Sequence, residues 1–282
     1  MILIADSGST KTEWSLAHEG RLMMQFKTAG FNPYYFSGEA ILQILKHDFP
    51  ESLVRSDVRE IVYYGSGCST PTNCGIVADA FSQLFKQASI TIHHDLLGAA
   101  HSLLGRSPGI ACILGTGSNS CLYDGVNIVM NVPSLGYMLA DEGSGLYIGK
   151  KFITALLYNE VPNHIRTDFY AHHPLSLEDI LNHVYSKPQP GKFLAGFASF
   201  VGRHIADPWC HALVAGSFDD FIRVQLSKYP PYQQLPIGFV GSVAFHFRQE
   251  LSERLSLAGI TAGNIMASPS KGLLAYHGIS QH

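Results

Sequence analysis

Two short turns of small residues in this sequence could bind an anion. Each follows an apolar segment that reads as a strand, the first after Ile2–Ala5 and the second after Ile110–Leu114. Glycine lets a backbone approach an anion with its amides turned outward, and Ser or Thr hydroxyls add donors without bulk. Either turn alone would also suit an ordinary hairpin, but their equivalent placement favours phosphate binding. The residues concerned are Gly8, Ser9, Thr10 and Lys11 in the first turn, and Gly115, Thr116 and Gly117 in the second.

Three carboxylates stand at the ends of elements. Asp6 ends the first strand, Asp95 follows the strand Ile90–His94 at the start of a helix, and Asp141 lies in an Asp-Glu-Gly-Ser segment. A carboxylate can hold a hard cation, accept a proton or accept hydrogen bonds from hydroxyls. Aspartate is also common in turns, at helix N-caps and near helix N-termini. Both interpretations therefore stay open for each residue.

The same order of elements occurs twice along the chain. A three-strand meander followed by alternating helices and strands begins at Ile2 and begins again at Ile110. Helical patterns between about Ser144 and Lys228 are inserted into the second copy. Because a repeated order is harder to produce by chance than one glycine motif, the pattern predicts two related α/β lobes. We place residues 1–105 in the first lobe and residues 106–282 in the second.

Composition narrows the class of protein. The chain has 282 residues, of which 46% are hydrophobic, enough to bury a substantial core. Its formal charge of -3 and the absence of a run of Lys and Arg argue against nucleic acid as a partner. No apolar stretch in the sequence is long enough to cross a bilayer. The odd count of five cysteines, with no Cys-x-x-Cys pair, is typical of reduced thiols in a cytoplasmic protein.

Three segments together resemble a known family. Ala5–Thr12, Leu114–Asn119 and Ala140–Ser144 are similar to motifs of the N-acetylglucosamine kinase and BadF-type ATPase family, within the actin, sugar kinase and Hsp70 superfamily. The resemblance spans nearly the whole chain in matching order. It implies an α/β fold of two ribonuclease-H-like lobes, the actin-like ATPase fold, with ATP and Mg²⁺ in the cleft between them. It also implies a homodimer.

The resemblance implies roles for particular residues. Asp6 would hold Mg²⁺, Asp95 would be the catalytic base, and the two glycine turns would bind the ATP phosphates, although Lys11 could equally be a solvated turn lysine. The residues expected to contact the rest of the ligands are Gly241 and Ser242 for adenosine, and Asn32, Asp95, Thr116, Ser118 and Asp141 for the sugar. An Asn before a Pro is also a routine turn signal, so Asn32 keeps that alternative. His93 and His94 receive no role.

The implied reaction is phosphoryl transfer from ATP to an amino sugar such as N-acetylglucosamine, at the hydroxyl on carbon six. Two other functions stay open. One is a BadF-type ATPase that activates a partner enzyme through an iron–sulfur cluster, which the scattered cysteines disfavour. The other is a sugar-sensing protein that has lost catalysis. The aromatic run Tyr34-Tyr35-Phe36 after Asn32 departs from the family pattern and leaves the acceptor sugar open.

Overall fold

The strands of this protein follow two patterns: Ile2–Ser7 and Ile237–Val240 are largely buried runs, whereas Arg21–Ala29 alternates between exposed and less exposed residues. The computed structural model describes Met1–Gly8 and Thr10–Ser280. Every strand expected from the sequence is present, with bounds that differ from the prediction by at most two residues. Successive side chains of a strand point to opposite faces, so one face of each sheet can be apolar while the other varies.

The helices and strands follow in the order expected. They are β1 (Ile2–Ser7), β2 (Lys11–His18), β3 (Arg21–Ala29), α1 (Gly38–Asp48), β4 (Glu60–Gly65), α2 (Pro71–Leu84), β5 (Ser89–His94), α3 (Asp95–Leu104), β6 (Gly109–Leu114), β7 (Ser118–Tyr123), β8 (Ile128–Asn131), α4 (Gly136–Leu139), α5 (Gly145–Leu157), α6 (Asn163–His172), α7 (Leu177–Tyr185), α8 (Pro190–Arg203), α9 (Pro208–Val224), β9 (Ile237–Val240), α10 (Ser242–His246), α11 (Arg248–Leu257), β10 (Ala262–Met266) and α12 (Ser270–Tyr276). Short 3-10 helices lie at Arg55–Asp57, Leu226–Lys228 and Tyr232–Gln234.

The chain forms two units. Unit 1 comprises Met1–Ser107 together with the segment that begins at Pro269, and unit 2 comprises Pro108–Ser268. The break near residue 107 lies close to the expected one, whereas α12, expected in the second lobe, packs in unit 1. In that unit the Ser270 hydroxyl donates to Glu13 Oε2 at 2.6 Å, and the Ser280 amide donates to the Gly20 carbonyl at 2.8 Å.

Each unit contains one five-stranded mixed sheet, and the two sheets have the same strand order. In unit 1 the order is β3-β2-β1-β4-β5, and in unit 2, reversed to match, it is β8-β7-β6-β9-β10. The meander strands pair antiparallel, while β1, β4 and β5 are parallel, as are β6, β9 and β10. The repeat predicted from the sequence is therefore present as two α/β units of one topology.

Each unit buries its own apolar core. In unit 1 the core centres on aromatic rings. The Trp14 ring packs edge-to-face against Phe49, and the Trp14 indole N–H donates to Thr28 Oγ1 at 3.0 Å. In unit 2 the inserted helices supply much of the core, through residues such as Phe152 and Phe218. No helix among the described residues has the length and apolar character needed to span a bilayer.

One short helix was not predicted between β9 and the last strand. The sequence pattern predicted a helix from Phe247 to Leu257, which α11 confirms within one residue, and α10 precedes it as an additional helix. Gly241 immediately before α10 has φ 129°, a conformation that L residues with a side chain rarely adopt. The glycine thus makes the sharp turn from β9 into α10.

Candidate functional site

Three parallel strands of unit 1 end at one edge of the sheet. Ser7 of β1 is in register with Gly65 of β4, and Gly65 is in register with His94 of β5. Asp6 and Asp95 therefore lie near the same edge, with β4 between their strands. The carboxyl ends of parallel strands are where open α/β sheets commonly bind ligands.

The Asp6 side chain is an acid in an environment that disfavours its charge. Burial raises its pKa to about 7, the carboxylates of Asp95 and Glu13 add to the rise, and Lys11 opposes it. A bound cation would relieve this repulsion, and a carboxylate is a hard oxygen ligand of the kind that Mg²⁺ prefers. Within the described residues, no group of three or more His, Cys, Asp or Glu could hold a metal. A Mg²⁺ ion held by Asp6 would therefore keep water or phosphate oxygens as its other ligands.

Asp95 is the first residue of α3, and His94 rather than Asp95 is its N-cap. The His94 Nδ1 atom accepts the amide of Leu96 at 3.3 Å. Burial raises the pKa of Asp95, while His94 and the backbone amides of Leu96 and Asp95 lower it. The Asp95 Oδ1 atom is buried and has no hydrogen-bond partner among the described residues. Asp95 therefore lies one residue after the N-cap, although its carboxylate still interacts with the first backbone amides of the helix.

Gly30 packs directly against the first glycine turn. The Gly8 amide donates to the Lys11 carbonyl at 3.1 Å, and the Gly30 amide donates to the Thr10 carbonyl at 3.1 Å. A Cβ atom on Gly30 would lie 2.2 Å from the Gly8 carbonyl oxygen, so only glycine fits beside this turn. Ser9, expected as a phosphate ligand, lies outside the described residues. The phosphate roles of Gly8 and Thr10 stay predictions.

Lys11 is engaged with an acidic neighbour. Its Nζ atom lies 2.8 Å from Glu13 Oε1, and Lys27 Nζ lies 3.4 Å from the same oxygen. The Glu13 side chain is only 16% exposed, whereas that of Lys11 is 58% exposed. An exposed ammonium can leave such a contact at small cost. To bind a phosphate, the Lys11 ammonium would therefore have to leave Glu13 or to contact Glu13 and the phosphate at the same time.

Asn32 lies over the loop that follows β4. Its Oδ1 atom accepts the amide of Tyr34 at 2.9 Å, which is the turn role left open by the sequence. A Cβ atom on Gly67 would lie 2.1 Å from this Oδ1, and Gly67 has φ 80°, so glycine is needed there for two reasons. The Asn32 amide nitrogen could still donate to a sugar, and that role stays a prediction.

The carbonyls of the second glycine turn point toward a helix. The first amides of α5 bind them, from Gly145 to the Gly115 carbonyl at 2.9 Å and from Leu146 to the Thr116 carbonyl at 3.1 Å. Both helix amides would otherwise lack an intrahelical partner. The helix thereby fixes the direction of the turn's peptide planes.

The amides at the two ends of this turn are hydrogen-bonded within the protein. The Gly115 amide donates to the Gly117 carbonyl at 3.0 Å, and the Ser118 amide donates to Asp141 Oδ1 at 3.1 Å. No hydrogen bond from the amides of Thr116 or Gly117 occurs among the described residues. Adjacent unpaired amides in a turn form an anion-binding concavity. The geometry therefore suits a phosphate oxygen at Thr116 and Gly117.

Asp141 is held against the second turn in a strained conformation. Its φ is 68°, unusual for a residue with a side chain, and its side chain is buried. Burial raises the pKa of Asp141, while the Ser118 amide lowers it. A Cβ atom on Gly117 would lie 3.1 Å from Asp141 Oδ1. The predicted phosphate turn and the predicted sugar ligand are thus in direct contact.

Two buried oxygens near Asp141 have no partner. Ser118 Oγ and Glu142 Oε2 are buried and make no hydrogen bond within the described residues. Buried polar atoms in folded proteins are nearly always hydrogen-bonded. Hydroxyl groups of a ligand could satisfy both atoms, and the sugar roles of Ser118 and Asp141 stay predictions.

Gly241 packs directly on the second turn. The strands β6 and β9 are parallel neighbours, with Ile113 in register with Val240. A Cβ atom on Gly241 would lie 2.3 Å from the Leu114 carbonyl oxygen and 3.2 Å from the Gly115 amide nitrogen. The structure therefore brings the turn predicted to contact adenosine, Gly241 and Ser242, beside the turn predicted to bind phosphate.

Sequence reasoning missed three residues that shape unit 1. Gly30 and Gly67 support the first turn and Asn32, but each contact joins segments distant in sequence and left no local signal. His94 was given no role, yet its Nδ1 atom lies 3.2 Å from Asp95 Oδ1. Its position directly before the predicted base was the available signal.

The fold of the whole chain matches solved structures of other proteins. A Porphyromonas gingivalis protein provisionally assigned as an N-acetylglucosamine kinase is 42% identical, with 99% of each chain covered and a TM-score of 0.95. A Chromobacterium violaceum protein with the same provisional assignment is 19% identical, with 98% of each chain covered and a TM-score of 0.74. MreB 5 of Spiroplasma citri, bound to AMPPNP, is 11% identical over 98% of this chain and 93% of its own, with a TM-score of 0.60. No family model matches the sequence, and no protein of curated function matches it.

Proposed function

The chain belongs to the N-acetylglucosamine kinase family of the actin, sugar kinase and Hsp70 superfamily, and from this membership we propose that it phosphorylates an amino sugar. The phosphoryl donor is ATP, and the acceptor is a hydroxyl of a sugar such as N-acetylglucosamine. The observation that carries the proposal is the placement of Asp6 and Asp95 near one edge of a parallel sheet. One carboxylate suits a metal ion, and the other suits a proton in transfer.

Asp95 acts as the general base. It accepts the proton of the sugar hydroxyl while the hydroxyl oxygen attacks the γ-phosphorus and the bond to the bridging oxygen of ADP breaks. The burial that raises its pKa makes it a stronger base than a solvated aspartate, provided that it remains ionised at the working pH. We propose the hydroxyl on carbon six as the acceptor.

The remaining residues bind and orient. Asp6 would hold Mg²⁺, which when bound neutralises charge on the phosphates. The amides of Thr116 and Gly117 donate to a phosphate oxygen, and Gly241 shapes the adenosine turn. Asp141 accepts hydrogen bonds from the sugar. Positioning and charge stabilisation account for most of the rate in such transfers.

A panel of sugars tests the proposal. Purified protein, ATP and Mg²⁺ are mixed with each sugar, ADP release is followed, and the phosphorylated carbon is identified by ³¹P–¹H NMR. Amino sugars should give sugar-dependent ADP release. Hydrolysis of ATP without any sugar dependence would favour the ATPase alternative, and sugar binding without ADP formation would favour the sensor.

A substitution at Asp95 tests its role. Asp95→Asn should lower turnover by about 10²- to 10⁴-fold, because general base catalysis contributes that much, while ATP binding persists. Asp57→Asn, which changes an exposed carboxylate of the same unit, is the matched control and should leave turnover intact. Full turnover in the Asp95→Asn protein would remove Asp95 from the mechanism.

We also propose a setting for this reaction. The absence of a run of Lys and Arg, and the absence of a disulfide among the described cysteines, fit a cytoplasmic enzyme with no nucleic acid partner. The assembly we expect is a homodimer. Light scattering at several protein concentrations measures it.

A further inference from the structure

His94 stands beside the carboxylate that the proposed reaction needs. It ends β5, and its side chain is 25% exposed while that of Asp95 is 23% exposed. The His94 Nδ1 atom lies 3.2 Å from Asp95 Oδ1. That oxygen is buried and makes no hydrogen bond among the described residues, so its approach to Nδ1 is a contact at ion-pair distance.

The charge of Asp95 decides which atom of this pair carries a proton. A bare Nδ1 would set its lone pair against an ionised Oδ1, which is repulsive at this distance. A proton on Nδ1 replaces the repulsion with a charge-assisted hydrogen bond. The Leu96 amide, which lies 3.3 Å from Nδ1, does not lose its acceptor, because it also interacts with the Asp95 carboxylate.

The other ionisable groups around Asp95 cannot replace His94. Asp6, Tyr63 and Cys68 each interact electrostatically with the Asp95 carboxylate. These three side chains carry negative charge when they ionise, so none of them stabilises an ionised carboxylate by charge. His94 differs from these neighbours in having a ring nitrogen that can donate a hydrogen bond without becoming negatively charged.

We propose that His94 is a positioning residue whose Nδ1–H holds Oδ1 of Asp95, so that the second carboxylate oxygen faces the acceptor hydroxyl. This inference rests on the proposed function of Asp95 as the base. When Oδ1 of Asp95 is held, the carboxylate cannot rotate, and its second oxygen keeps one orientation toward the hydroxyl proton that it accepts. Loss of that orientation lowers turnover more than substrate binding.

Two substitutions at residue 94 separate orientation from packing. In His94→Asn the amide nitrogen takes the place of Nδ1 and keeps a donor, whereas His94→Leu keeps bulk and removes the donor. We expect His94→Leu to lower kcat by about 10- to 100-fold with the KM for ATP unchanged, since small misplacement of a reacting group costs about that much. His94→Asn should recover most of the loss.

His93→Asn is the matched control. His93 precedes His94 in β5 and points to the opposite face, where its ring stacks on Tyr64 with centroids 5.2 Å apart. The His93→Asn protein should keep the wild-type kcat. A wild-type kcat in His94→Leu would overturn the inference, as would equal losses in His94→Leu and His94→Asn when circular dichroism shows both folded.

An NMR measurement separates this inference from the proposed function. In ¹⁵N-histidine-labelled protein, the His94 signals are assigned by their loss in His94→Asn. We expect a proton on Nδ1 in the wild-type protein and a changed Nδ1 signal in Asp95→Asn. If no sugar is phosphorylated but this coupling is present, the proposed function fails and the His94–Asp95 contact stands. A His94 Nδ1 signal that shows no bound proton and does not change in Asp95→Asn would contradict the proposed hydrogen bond, whether or not the protein phosphorylates a sugar.

Discussion

Replacing Asp6 with asparagine should make the metal-free protein more stable at pH 8. The pKa of Asp6 is about 7 in the folded protein against an ordinary value of 3.8. Between these values the folded state keeps a proton that the unfolded state has released, so wild-type stability falls as pH rises through this window. At 1.36 kcal/mol for each pKa unit, the ionised Asp6 costs up to about 4 kcal/mol above pH 7. This is an upper limit, because part of Asp6 faces water.

Thermal unfolding followed by circular dichroism in EDTA measures the effect. Asp6→Asn should raise the melting temperature at pH 8 by about 5 to 15 °C, and the gain should shrink toward pH 5 as wild-type Asp6 becomes protonated. Asp57→Asn serves as control and should change neither value. The same Asp6→Asn protein should lose Mg²⁺-dependent turnover if Asp6 holds the metal.

Either of two outcomes would refute this reasoning about Asp6. One is a gain in stability that is the same at pH 5 and pH 8, which would mean that the carboxylate charge is not its source. The other is an Asp6→Asn protein less stable than wild type at pH 8, which would mean that the ionised Asp6 carboxylate stabilises the folded protein.

Three further perturbations test other parts of the structure. Gly241→Ala should cost about 2 to 4 kcal/mol of unfolding free energy in urea and abolish ATP binding by titration calorimetry, because the added methyl would meet the Leu114 carbonyl at a φ of 129°; wild-type ATP affinity would contradict this. Asp141→Asn should raise the sugar KM by about 10-fold, since it keeps the oxygen that accepts the Ser118 amide but loses the charge; an unchanged sugar KM speaks against a sugar contact. Burial lowers the pKa of His101 to about 4 against an ordinary 6.5, so stability should fall as pH drops from 6.5 toward 4, and His101→Gln should flatten that slope in urea titrations. An equal slope in both proteins would show that His101 does not cause it.

The strands and the repeat could be predicted because they depend on local patterns. Short runs rich in apolar residues mark the strands, and turns rich in glycine separate the strands of each meander, so the bounds agree within two residues. The helix α10 was not predicted, because its five residues are too few to show helical periodicity, whereas α11 agrees with the predicted helix within one residue. The return of α12 to unit 1 depends on contacts such as Ser270 with Glu13, which join residues far apart in sequence.

In the candidate site, too, features that depend on local patterns could be predicted, and features that depend on contacts between distant segments could not. The positions of Asp6 and Asp95 near strand ends could be predicted from the strand pattern, whereas their roles stay predictions. The contact of Asp141 with Ser118, and the fit of Gly241 against Leu114, depend on how distant segments pack. The pairing of Lys11 with Glu13 was within reach of the sequence, because residues two apart in a strand share a face.

The path of the chain through unit 1 also affects the order in which a ribosome could complete the two units. Unit 2 is one continuous segment, Pro108–Ser268, whereas unit 1 needs α12 and the contact of Ser280 with Gly20. Most of unit 1 is translated before unit 2, but unit 1 cannot bind α12 until unit 2 has been translated. Until then, the surface of unit 1 that packs against α12 stays uncovered. Domains generally fold as units during synthesis, so nascent unit 2 can finish folding before unit 1 does.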